Sequence, residues 1–98
     1  MTKEIAFQII QDSFSSLYRS GMLEEDMVIE ENTVILGAKS PLDSIAFVTF
    51  ITDLEDRMSS EAAKEIYLIL AEIHKFNADH QYLTAGTLAD YLFHIAER

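Results

Sequence analysis

A chain of 98 residues with only three glycines and one proline has almost nothing with which to break a helix, and this scarcity constrains its fold more than any other feature. No linker, repeat or low-complexity tract interrupts it. Where apolar residues recur at helical spacing, nothing opposes the helix, and the few breakers become boundary markers.

Between Thr2 and Ser20, the residues Phe7, Ile10, Phe14, Leu17 and Tyr18 share one face of a first helix, and Gly21 is placed to end it. The following stretch, Met22 to Ser40, holds five acids (Glu24, Glu25, Asp26, Glu30, Glu31) and no base before Lys39. Its apolar triplets Met27-Val28-Ile29 and Val34-Ile35-Leu36 flank Glu31-Asn32. A hairpin is one reading, but Glu-Asn is a poor two-residue turn, and a long structured loop pinned by its apolar residues is preferred.

A second helix has two competing caps, Ser40 with Pro41 at the first helical position or Asp43, and should run to about Met58. Ile45, Val48, Ile51, Leu54, Glu55 and Met58 lie near one face, with only Glu55 out of character. Ser59 or Ser60 should cap a third segment carrying Ala62, Ile66, Ile69, Leu70, Ile73 and Phe76 at helical offsets. The run Ile66 to Leu70 also admits an extended segment, because five consecutive apolar residues do not settle the period. Thr84 caps a last helix with Leu88, Tyr91, Leu92 and Ile95 inward. The expected fold is all-α: one domain over 1–98, a small four-helix bundle with a long loop between helices 1 and 2.

Seventeen Asp and Glu against seven Lys and Arg give a formal charge of −10. No basic residue adjoins another, so nucleic acid is excluded as a partner and basic protein faces are favoured. With 49% hydrophobic residues the chain has the composition of a folded domain rather than a disordered one. Cysteine is absent, which removes disulfides and thiol catalysis. The opening Met-Thr-Lys-Glu-Ile lacks the apolar core of a signal peptide, and the uncharged run Ser44 to Thr52 is too short to span a bilayer. A cytoplasmic monomer is expected.

Among side chains that carry chemistry, Ser44 stands out. In Leu42-Asp43-Ser44-Ile45 it falls in the first turn of a helix, where unpaired N–H groups favour a phosphate ester. Taken alone, the dipeptide Asp43-Ser44 reads as ordinary capping. Its surroundings decide more. Leu36-Gly37, six residues, Ser44, then Ile45, Val48, Ile51, Leu54 and Glu55 resemble the acyl carrier protein family, in which the attachment serine opens the second of four helices. The amphipathic first helix, the acidic loop and Thr84-Ala85-Gly86-Thr87-Leu88-Ala89-Asp90-Tyr91-Leu92 extend the resemblance over nearly the whole chain.

The resemblance implies a covalent 4′-phosphopantetheine on Ser44, delivered from coenzyme A by a phosphopantetheinyl transferase, whose thiol holds acyl groups as thioesters. It implies a prosthetic group rather than a catalytic residue. Leu42, Asp43 and Ile45 would frame the attachment site, with Asp43 also positioning the transferase. Asp53, Glu55 and Asp56 would steer basic faces of acyl-handling enzymes. Ala46-Phe47-Val48-Thr49-Phe50 depart from the family, which places acids there. Phe47 and Phe50 are therefore candidates for a partner contact or an acyl-chain lining, and packing beneath the acidic loop is the competing assignment. Ile45 replaces the family's Leu, and Ser59 to Tyr82 is longer than the family's third helix. These departures point to a specialised biosynthetic route. An acidic adaptor using the Phe47 and Phe50 face is the alternative. His74 and His80, with Glu72 and Asp79, lie on different helical faces, and the loop acids lack an EF-hand pattern, so neither group reads as a metal site.

Overall fold

The computed structural model describes residues 2–36, 42–77 and 82–97, with Ser44 described by its backbone only. The first helix, α1 (Lys3–Arg19), begins where Thr2 Oγ1 accepts the Ile5 N–H at 3.1 Å. It ends in a Schellman turn: Gly21 adopts φ +82°, its N–H reaches the Tyr18 carbonyl, and the Met22 N–H reaches Leu17. Ala6, Ile9, Ile10, Ser13, Phe14 and Leu17 form the buried face. Phe7 is half-buried and Tyr18 is exposed, so the inward stripe lies slightly round from the expected one.

The acidic stretch after α1 is held by Leu23 and Ile29, both buried, and by one amide. Gln11 donates Nε2–H to the Met27 carbonyl and accepts the Ile29 N–H, each at 2.8 Å. A single side chain thus imitates a strand partner for this segment.

Val34–Leu36 forms strand β1 and pairs antiparallel with β2 (Leu83–Thr84), with an irregular register between Val34 and Leu36. The fold is therefore mostly helical with a small two-stranded sheet, which corrects the all-α expectation. The Val34-Ile35-Leu36 triplet does pair, but with residues far along the chain rather than with Met27 to Ile29.

The second helix, α2 (Ser44–Ala62), continues through Ser59 and Ser60, so neither caps a new helix. It stops at Ala63, whose backbone is left-handed. After it, Ile66 and Leu68 are buried while Glu65, Tyr67 and Ile69 are exposed. That alternation is the period of an extended segment, and the helix expected from Ser59 onward exists only as α3 (Leu70–Phe76). The last helix, α4 (Ala85–Ala96), buries Leu88, Tyr91, Leu92 and Ile95 as expected.

α1 packs against both α2 and α4. Phe14 meets Phe50 edge-to-face at 5.0 Å between ring centroids. Outside this core, Lys3 bridges Asp90 on α4 at 3.1 Å and Glu31 at 3.3 Å, and these carboxylates hold its ammonium above its ordinary pKa. Among the described residues no helix is long and apolar enough to cross a membrane.

Candidate functional site

The site at the start of α2 is built from its cap. Asp43 sits in extended backbone at φ −79°, ψ −179°, with Oδ1 accepting the Ala46 N–H at 2.7 Å. The Phe47 N–H closes the first helical turn on the Asp43 carbonyl at 2.8 Å. Of the two competing caps Asp43 is the one that acts, and Ser40, Pro41 and Gly37 lie outside the described residues. Ser44 is consequently the first helical residue. The N–H of Ile45 has no partner among the described residues, so the helix presents open donor capacity at this end.

Around it, Leu42 is half-buried against the core, whereas Ile45 and Val48 are 72% and 64% exposed. The sequence stripe placed both inward. The buried face is instead Ala46, Phe47, Phe50, Ile51, Leu54 and Met58. Phe47 packs on Phe50, Phe50 meets Phe14, and both Phe47 and Phe50 are buried, so they belong to the core and offer no surface to a partner. This corrects their assignment as docking residues, and with it the adaptor that would have used them. A signal for it was available: Phe47, Phe50, Leu54 and Met58 fall at offsets 0, 3, 7 and 11, a cleaner stripe than the one beginning at Ile45.

The three acids of α2 separate. At about 3.6 residues per turn, Ile45, Val48, Thr52 and Asp56 share the outward lane. Asp56 is exposed on that lane. Asp53 is half-buried and joined to Arg57 at 2.6 Å, one helical turn on, in a cavity that Ile9 and Asp12 of α1 and Asp56 also line. Glu55 is also half-buried, and its Oε2 accepts the Leu68 N–H at 3.2 Å. The residue that looked out of character on an apolar face is thus a backbone acceptor.

The loop supplies acids the helix lacks. A cavity of about 390 Å³ lies between Asp43 and the loop residues Met22, Leu23, Glu24, Glu25 and Met27. Glu24 and Glu25 are exposed there, and no Lys or Arg lies between Arg19 and Lys39. The start of α2 is therefore an exposed apolar pair beside a negative rim. His74 is exposed and His80 and Asp79 lie outside the described residues; among the described residues no three metal-binding side chains converge. No protein-family model, curated protein or solved structure matches the chain.

Proposed function

We propose that this chain is an acyl carrier protein in which 4′-phosphopantetheine is attached to Ser44. The observation that carries the reading is the placement of Ser44 as the first residue of a helix whose cap is Asp43 and whose next outward residues, Ile45 and Val48, are exposed. The residues fit the group: a phosphodiester at this position meets the positive end of α2 and the open N–H of Ile45.

In this reading a phosphopantetheinyl transferase transfers the group from coenzyme A to Ser44. The arm, when attached, supplies the thiol that a chain without cysteine lacks, and acyl groups ride on it as thioesters. The protein's own part is presentation. Asp43 fixes the backbone that carries Ser44, while Ile45 and Val48 give an apolar seat for the modifying and acyl-handling enzymes. Glu24, Glu25, Asp26 and Asp56 attract the basic faces of those enzymes, an attraction that salt weakens. An apolar lane where ordinary fatty-acid carriers are acidic favours a specialised lipid, fatty-acid or polyketide-type pathway, served by a cytoplasmic monomer arranged as a small bundle with a long acidic loop.

Intact mass after incubation with coenzyme A and a broad-specificity phosphopantetheinyl transferase tests the proposal. One phosphopantetheine is expected on the wild type and none on Ser44→Ala. An unmodified wild type across several such transferases, or modification surviving Ser44→Ala, removes the assignment.

A further inference from the structure

The segment Glu65 to Ile69 is held against α2 in an unusual way. Ser59 Oγ accepts the Ile66 N–H at 2.9 Å and lies 3.5 Å from its carbonyl; one turn back, Glu55 Oε2 accepts the Leu68 N–H at 3.2 Å. Four residues of helix rise about 6 Å and two of extended chain about 6.6 Å, so residues four apart on α2 match residues two apart on the segment. The segment therefore runs antiparallel to α2 as a strand whose partner is a row of helix side chains.

A strand has two edges. Successive residues direct their backbone groups to opposite sides, so Tyr67 must point its N–H and C=O away from α2. Neither group has a hydrogen-bond partner among the described residues. The Tyr67 and Ile69 side chains are 66% and 51% exposed, and a cavity of about 320 Å³ beside them reaches down to Ile66 and to Ile95 of α4. An open edge flanked by apolar side chains is a template for another strand.

We propose that this edge binds an extended, cationic partner segment by strand addition, with Tyr67 exchanging both backbone hydrogen bonds with it. The site is separate from Ser44 and does not depend on the carrier assignment. Extended backbone is dictated by the open N–H and C=O, and apolar residues alternating along the partner would lie beside Tyr67 and Ile69. Cationic character follows from charge: Glu65 and Glu72 line this cavity against one base, Lys64, on a chain of net charge −10. A second copy of the chain would bring the same −10 to the edge and repel.

The test uses the acetylated and amidated peptide Lys-Val-Lys-Val-Lys-Val-Lys, titrated into the full chain with amide chemical shifts and hydrogen exchange as readouts. Shifts centred on Glu65 to Ile69 and slowed exchange of the Tyr67 N–H are expected. A peptide N-methylated at alternate residues, on the edge meant to face Tyr67, should bind at least about tenfold more weakly, the equivalent of losing one to two hydrogen bonds. Tyr67→Pro removes the open donor at the cost of only one exposed side-chain bond, the Tyr67 hydroxyl to Glu65 at 2.8 Å, and should lose peptide binding, whereas Tyr67→Phe, which loses that bond alone, should keep it. If the proline variant does not fold, the N-methylated pair decides the matter. Equal affinity for both peptides, shifts confined to the acids at 24–26, or self-association of the chain without peptide would each overturn the proposal.

Discussion

The two long helices that begin after a strand or loop, α2 and α4, are capped alike and used differently. At α4, Thr84 Oγ1 accepts the Thr87 N–H at 3.3 Å, while the Ala85 and Gly86 N–H groups reach the carbonyls of Thr33 and Glu31, both at 2.8 Å. Every early donor named there is consumed by the fold, and Ala85, Gly86 and Leu88 are buried. At α2 the cap Asp43 takes one donor, the Ile45 N–H meets no acceptor among the described residues, and the next outward residues face solvent. A helix start closed by crossing backbone is structural; one left open retains its field for something that arrives later.

The largest effect should come from closing space at α4. A Cβ on Gly86 would sit 2.9 Å from the Glu31 carbonyl oxygen and 3.3 Å from Glu31 Cβ, backbone that cannot swing aside. Gly86→Ala should cost about 1–3 kcal/mol, more than Ala returns in helix propensity, and lower the midpoint by roughly 4–8 °C per kcal/mol in a domain of this size. Thermal unfolding that is unchanged would mean that the loop does not cross α4 so closely.

Next in size is the cap at α2. Asp43→Ala should cost about 1 kcal/mol by chemical denaturation and speed hydrogen exchange at Ala46, since no other acceptor among the described residues serves that N–H. If exchange at Ala46 is as slow as at Thr87, the two helix starts are not as different as described. The smallest change in stability should come from Ile45→Ala with Val48→Ala, within about 0.5 kcal/mol because both are exposed. The same double variant should slow transferase modification of Ser44 several-fold. A rate equal to wild type would take the apolar seat out of the proposed function.

Much of the first helix was legible because its boundaries are local: Thr2 and Gly21 act on their own turn of backbone. Asp43 was legible as one of two caps for the same reason. The phase of α2 was not, because residues 45 to 51 are apolar almost all round and only the arrival of Phe14 chooses which side is buried. Nor was the fate of Glu55 and Ser59 visible, since both act on backbone groups 7 to 13 residues away.

The sequence by itself determined that the chain is mostly helical, where α1 and α4 begin, that its acids crowd the stretch before Lys39, and that any thiol must be brought from outside. Those properties depend on composition or on residues within one turn of each other. Tertiary structure alone decided that Val34–Leu36 pairs with Leu83–Thr84, that Ile45 and Val48 face out while Phe47 and Phe50 face in, and that residues 65 to 69 are extended. An apolar run satisfies helix and strand alike until neighbouring elements supply the hydrogen-bond partners and the cavity it must fill.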